Sequence, residues 1–286
     1  VYIDICQKWA DTLKFQKLKN RIHHWFTFLE CWRDHLVDDQ KIDSGKVSIL
    51  EHGINFDELK DLPVDDCKRN FGFKDFTVVN MNRNSLRKEW HTTISAFVEF
   101  LSRHNYNPDI KLYISCGVND TDRRCDIEQS VYIEFMKRGL EYIEYTKNFI
   151  INTKPQQLTK HEINMIYCAA DVGLNTCLSE GFGLTSVEHA YFNKPQILTE
   201  ILTFKNTLGD YPIYVKPAVI TTYIGNNDIN GERAILNHMD VADALDKCYK
   251  ERPTPQSRET VFKRFSWINI YKQLDHMITI LNNGPL

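Results

Sequence analysis

An α/β fold with a parallel sheet covered on both faces is predicted by three observations. Apolar runs and amphipathic stretches take turns along the middle of the chain. They do so in units of about 25–35 residues, the length of a strand–helix crossover. The 286 residues, 42% apolar and 26% charged, have the make-up of a globular chain with room for two cores.

The elements follow in order. Val1–Ile5 and Trp25–Leu29 read as strands, the second leading into a helix at Glu30–Val37, and Val47–Glu51 as another strand. The polar segment Gly53–Asn70, with Pro63, interrupts the pattern and reads as a linker. Phe76–Met81 is a strand, followed by a helix in which Trp90, Ile94, Phe97 and Leu101 recur at three- and four-residue spacing. Ile110–Cys116 (strand), Ile127–Tyr142 (helix), Asn148–Ile151 (strand) and Lys160–Ala170 (helix) continue the alternation. Val172–Thr176 is a strand, Leu184–Phe192 a helix, and Gln196–Leu198 and Pro212–Val215 are strands. After Pro217 a stretch with Gly225, Asn226, Asn227 and Gly231 reads as an irregular surface loop. Helices are expected at Asp240–Glu251 and Trp267–Asn282, the last with Ile270, Leu274, Met277/Ile278 and Leu281 on one apolar face.

Several function classes are disfavoured. Lys+Arg 35 against Asp+Glu 38 gives a net charge of -3, without the basic surplus of a general nucleic-acid binder. No run approaches the roughly 18–20 apolar residues that span a bilayer, and Val1–Lys14 lacks the pattern of a secretory signal. The absence of an initiating Met suggests a fragment or processed chain. Eight cysteines without a CxxC pair read as thiols of a reducing compartment, so a cytoplasmic location is expected. His23, His24 and His161 have no companions at metal spacing, and no metal is expected. Asp120-Thr121-Asp122 trails its strand and reads as a loop, and the Asn119-Asp120-Thr121 sequon is no more than chance supplies. Trp25, Phe26 and Trp32 read as packing residues rather than sugar-stacking ones.

In a parallel sheet ligands sit at the carboxyl ends of strands, which directs attention to two loops. In the first, Glu180-Gly181-Phe182-Gly183 lies between a strand and a helix starting at Leu184. Glycines allow close approach of backbone, and the first helical amides lack internal partners, so Gly183, Leu184 and Thr185 make a candidate anion site. Leu184, Val187 and Tyr191 are expected as the buried stripe, with Glu188 on or beside it. A carboxylate so placed needs partners such as ribose hydroxyls, unless it simply favours the positive end of the helix. In the second loop, Asn80–Glu89 (NMNRNSLRKE), Arg83 and Lys88 suit a diphosphate, one as a fork and one as a point charge. The alternative is a solvated basic face that includes Arg87.

Together these segments resemble the retaining glycosyltransferases built of two Rossmann-like domains (GT-B, family-four-like). Arg83 and Lys88 match the spacing of G-R-x-x-x-x-K, and Glu180 and Glu188 match E-x7-E. Tyr167–Val172 matches Y-x-x-A-D-V, and His52-Gly53-Ile54-Asn55 matches the H/N-G-V-D segment between the two domains. Asn80–Asn84 is closest to the glycosyltransferases of large DNA viruses, which would put the chain in a host cytoplasm.

The resemblance implies a Rossmann-like donor domain at 71–264, a linker at 53–70, a closing helix at 265–286 and, at 1–52, a remnant of an amino-terminal α/β domain. It implies transfer of a hexose from a nucleotide-diphosphate sugar, GDP-mannose or a UDP-sugar, to an acceptor that the residues do not specify. Arg83, Lys88 and the Gly183–Thr185 backbone would hold the diphosphate, Glu188 the ribose, and Glu180 would act beside the donor sugar. The Asn152–Leu158 loop would receive the base. Charge on the leaving diphosphate would be met without a metal.

The chain also departs from the family. Glu200–Thr203 stands where a Gly-Gly loop is usual, His189 where Ala is common, and Asn193 where Gly is common. An incomplete amino-terminal portion would leave a chain that binds donor but transfers poorly. Alternatives are a donor-binding module or pseudoenzyme, a nucleotide-sugar epimerase of the same fold, or a glycoside hydrolase using Glu180 and Glu188. A glutamate within a helix behind a phosphate-type loop speaks against the last.

Overall fold

The computed structural model describes residues 1–283 except 4, 6, 10–11, 118–124, 142–145 and 224–230. The Asp120–Asp122 pair, the Asn119 sequon and Gly225–Asn227 therefore lie outside the described residues.

The amino-terminal part holds α1 (Thr12–Leu18), β1 (Trp25–Thr27), α2 (Glu30–Asp34) and β2 (Val47–Ile49). The two strands pair in parallel. Of the strand expected at Val1–Ile5, the described residues show a single bridge between Tyr2 and Phe26. Trp25 and Trp32 are buried. The segment read as a linker contains a helix, α3 (Val64–Phe71), which buries Cys67 and ends at Gly72 in the left-handed region. Its one buried position in eight residues gave little periodicity to read.

The remainder builds a six-stranded parallel sheet. Its strands are β3 (Phe76–Met81), β4 (Ile110–Ser115), β5 (Phe149–Asn152), β6 (Val172–Asn175), β7 (Gln196–Thr199) and β8 (Ile213–Val215). They lie in the order β5-β4-β3-β6-β7-β8, so the winding reverses between β3 and β6. That reversal opens a crevice beyond the carboxyl ends of these two strands.

Side chains alternate across the sheet: Val78 and Leu112 join one apolar cluster, Val79 and Tyr113 another. The first face is covered by α4 (Trp90–Arg103) and α5 (Ile127–Met136), the second by α6 (Lys160–Ala169). Trp90, Ile94, Phe97 and Leu101 are all buried, which is the reason α4 forms where its spacing predicts. Thr159 and Glu162 close a capping box on α6. Helix α5 stops at Met136, short of the expected Tyr142, and Gly139 follows in the left-handed region.

Beyond β6 come α7 (Leu184–Ala190), α8 (Leu202–Leu208), β9 (Val219–Tyr223), β10 (Gly231–Ile235) and α9 (His238–Glu251). Two helices, α10 (Arg258–Phe265) and α11 (Trp267–Asn283), close the chain. Within the stretch expected to be irregular, β9 and β10 pair as antiparallel strands. The face predicted for α11 is only partly buried: Ile270 is covered, but Leu274 and Ile278 are exposed.

The closing helices meet the chain again at Gly53. The Ile54 amide donates to the Phe265 carbonyl at 2.7 Å, and a Cβ at Gly53 would fall 2.3 Å from the Trp267 ring. A Gly53→Ala variant should lose about 1–3 kcal/mol by overpacking. Thermal unfolding of G53A, W267L and the double variant checks this, because trimming the ring should make the added methyl harmless.

Candidate functional site

The loop after β3 is held by its asparagines. Asn80 Nδ2 donates to Thr93 Oγ1 at 3.0 Å, Asn82 Nδ2 to Asn80 Oδ1 at 2.7 Å, and Asn84 Nδ2 to the Cys125 carbonyl at 2.9 Å. Asn80 and Asn84 are buried, so their amides need these partners. The Trp90 indole donates to the Arg83 carbonyl at 3.1 Å and fixes the backbone there. A 3₁₀ turn at Leu86–Lys88 then carries Arg87 and Lys88 toward the crevice.

The loop after β6 faces them, and the Leu178 amide donates to the Arg87 carbonyl at 2.8 Å. Trp32 of the amino-terminal part donates through its indole to the Gly181 carbonyl at 2.9 Å. Thr203 on α8 donates to the Glu180 carbonyl at 2.5 Å. Where a Gly-Gly loop is usual, the chain therefore starts a helix that buttresses Glu180. Gly183 has φ 83° and caps α7, and a Cβ there would lie 2.7 Å from the Phe204 ring. Both the conformation and the space demand glycine. The amides of Leu184 and Thr185, in the first turn, have no carbonyl to reach within the helix.

These two loops enclose a cleft of about 420 Å³. Its walls include Arg83 and Lys88 from one loop and Glu180, Gly183, Leu184 and Thr185 from the other. His52 forms part of the opening, stacked on Phe28 at 4.8 Å between ring centroids and edge-on to Phe182 at 4.9 Å. Pro155 and Leu158, from the loop after β5, also line it. Six of the seven residues singled out from the sequence thus share one cavity.

Glu188, the seventh, is not among the lining residues. It lies on α7, half-buried, and accepts a hydrogen bond from the Tyr167 hydroxyl at 3.2 Å. Burial pushes its carboxyl above the usual range, outweighing that bond. Leu184, expected in a buried stripe with Val187 and Tyr191, is 45% exposed, because the first turn of α7 faces the cleft rather than the core.

Glu180 is the electrostatic centre. Lys88 Nζ contacts its Oε2, and Arg87 Nη1 reaches its Oε1 at 3.0 Å and the Ser179 carbonyl at 2.8 Å. Burial alone would raise the carboxyl, but the Lys88 and Arg87 charges with their hydrogen bonds hold it down at about 2. Arg87, grouped from the sequence with a solvated face, is therefore part of the site. Arg83 stands exposed at the rim and, among the described residues, pairs with no carboxylate.

Comparison with known proteins fixes the fold class. The chain superposes on the glycosyltransferase from Rickettsia africae with a TM-score of 0.70 at 18% identity, covering 95% of this chain and 68% of that one. It superposes on Anabaena HepE, solved with UDP and glucose, with a TM-score of 0.71 at 13% identity, covering 97% of this chain and 70% of that one. The fold is thus that of GT-B glycosyltransferase structures. In sequence the chain is 22% identical over 228 residues to the O-antigen chain mannosyltransferase RfbU of Salmonella typhimurium, 79% of this chain and 54% of that protein. It spans about half the length of that relative. No family model matches the chain.

Proposed function

We propose that the chain is a hexosyltransferase that uses a nucleotide-diphosphate sugar as donor and retains the anomeric configuration. The observation that carries this reading is the convergence of Arg83, Lys88 and the Gly183–Thr185 turn on one cleft at the sheet's winding reversal. A helix tip and two cations match a diphosphate in charge and geometry. The glycosyltransferase fold and the mannosyltransferase relative support the same reading.

Glu180 sits beside the donor sugar as the catalytic carboxylate, and Glu188, just behind the cleft wall, takes the ribose hydroxyls, its carboxylate having acceptor sites beyond the one that Tyr167 uses. The base lies against the loop bearing Pro155 and Leu158. GDP-mannose is the favoured donor, because the named relative is a mannosyltransferase; a UDP-sugar is the alternative, since HepE was solved with UDP. In the transfer, the bond from the anomeric carbon to the β-phosphate oxygen breaks and the acceptor hydroxyl oxygen bonds to that carbon. The hydroxyl proton passes to the departing diphosphate. Side-chain cations and helix amides meet the developing charge without a metal, so chelator should leave turnover unchanged.

Residues 1–52 then belong to the acceptor side, 71–264 form the donor-binding domain with 53–70 leading into it, and 265–286 close the structure. Among the described residues no helix is long and apolar enough to cross a membrane, and Cys31, Cys67, Cys168, Cys177 and Cys248 are free thiols. Free thiols support a cytoplasmic setting. A large DNA virus as source rests on the resemblance of Asn80–Asn84.

Calorimetric titration with GDP, UDP and ADP, each with and without its sugar, tests the donor site. One nucleotide should bind tightly enough to raise the unfolding temperature. Arg83→Ala should weaken it by about 10- to 100-fold through loss of a charge-assisted contact of roughly 1.5–3 kcal/mol. Unchanged affinity in R83A would end the diphosphate assignment.

A further inference from the structure

A second cavity, of about 330 Å³, lies against the same Glu180. We infer that it is a saccharide site, where a hexopyranoside acceptor binds with its ring on an apolar floor and its hydroxyls on a charged rim. This deepens the glycosyltransferase reading and rests on it for the word acceptor; the binding itself does not.

The cavity is built by the β9–β10 pair that the sequence did not reveal. The Ala234 amide of β10 donates to the Leu178 carbonyl at 2.8 Å, and the Glu232 amide donates to the Lys8 carbonyl at 2.9 Å. These two bonds tie β10 to the loop that carries Glu180 and to the amino-terminal part, and so close the cavity on the side opposite α8. Leu178 and Ala234 are buried at its base, while Leu202 and Ile220 stand 49% and 63% exposed at its mouth. Large apolar side chains at a concave mouth are a surface that a ligand can cover.

The rim decides the ligand class. It carries two ammonium groups, Lys8 and Lys205, and two carboxylates, Glu200 and Glu232, with Lys205 Nζ 3.3 Å from Glu200; the third lining carboxylate, Glu180, is already neutralised by Lys88 and Arg87. Balanced charge selects against a phosphate or a carboxylate, which two glutamates would repel. A neutral polyol meets both signs, donating to the glutamates and accepting from the lysines. Its C–H face also suits an apolar floor. The volume lies at the small end for ligand sites, as one or two sugar rings require. Since Glu180 belongs to both cavities, a ring here brings its hydroxyls next to the donor cleft.

Saturation-transfer NMR with p-nitrophenyl α-mannopyranoside and p-nitrophenyl β-glucopyranoside tests this, with 4-nitrophenol as control. Ring protons of at least one glycoside should take up saturation from the wild-type chain. Ile220→Glu and Leu202→Glu, both at exposed positions, should each cut that signal at least fivefold without altering the unfolding temperature or nucleotide affinity. The inference is overturned if neither glycoside gives a signal, if 4-nitrophenol alone gives one, if both variants keep it, or if GDP or UDP abolishes it by competition. Failure of every nucleotide to bind would overturn the donor reading instead, and leaves the glycoside result to decide this cavity.

Discussion

Glu180→Gln should lower sugar transfer by about 10²–10⁴-fold while the nucleotide diphosphate binds as tightly as before, or more tightly. The reason lies in the ion pairs of the site, where Lys88 and Arg87 are both engaged by this carboxylate. A diphosphate must compete for Lys88. On the proposed assignment, removing the negative charge frees that cation for the phosphate and takes away the group proposed to lie beside the donor sugar. Measuring kcat and nucleotide Kd on the same preparation separates the alternatives. An enzyme shows the split, whereas a donor-binding module shows the change in Kd with no turnover to lose. Full activity in E180Q would remove Glu180 from the mechanism. Acid stability offers a parallel check. The folded carboxyl sits at about 2 against an ordinary 4.5, so the pair stabilises the fold above pH 4.5, and that contribution is lost as pH falls from there through about 2.

A second large effect should appear at milder pH. His189 is buried, stacked on Tyr167 at 4.9 Å between ring centroids, and its Nε2 has no partner among the described residues. A Cβ at Gly173 would lie 2.5 Å from its Nδ1, so the glycine in β6 makes the space this imidazole fills. Burial, aided by Lys194, pushes its pKa from the ordinary 6.5 down to about 3, despite a hydrogen bond with the Tyr167 backbone. The stability that its neutral form brings is complete above pH 6.5. Below that the unfolded chain binds a proton that the folded chain refuses, at up to about 1.4 kcal/mol per pH unit. Urea unfolding at pH 7.5 and 5.5 should show the wild type losing on the order of 1 kcal/mol, with His35 and His24 adding in the same direction. His189→Ala should remove most of that loss. Glu188, whose carboxyl is raised by burial, acts in the opposite sense and only near the carboxylate range. An equal decline in H189A would show that the proton goes elsewhere.

The four central strands were readable because their positions are almost all buried, which leaves runs rich in β-branched and aromatic residues such as Phe76–Met81. The β9–β10 pair was not, because every residue of β9 is exposed and no hydrophobic alternation marks it. Helix α11 misled for a related reason: its apolar residues exist, but Tyr271, Leu274 and Ile278 face outward. At the site, residue type and spacing selected six cleft residues, since strand–loop–helix junctions bring such groups to one crevice whatever their detail. The role of Arg87 needed the 3₁₀ turn at Leu86–Lys88, which decides whether a basic side chain meets Glu180 or water. The asparagines carried a signal that was legible only afterward. Three of them, at alternate positions from Asn80 to Asn84, tie down the loop through their side-chain amides.

Phe28, Leu29 and Leu36 share a single apolar cluster with Phe182, Val187, Phe204 and Phe265. Cutting the polypeptide near residue 53 would bare both halves of that cluster, at about 1.5–3 kcal/mol for each large side chain newly wetted. Neither piece should be obtainable as a well-behaved soluble protein. Mixing the two pieces, or tethering them by a different route, should restore both together. The first fifty residues act as the keel of the loop that carries Glu180, and a shortened protein made to isolate nucleotide binding would lose the support beneath Phe182.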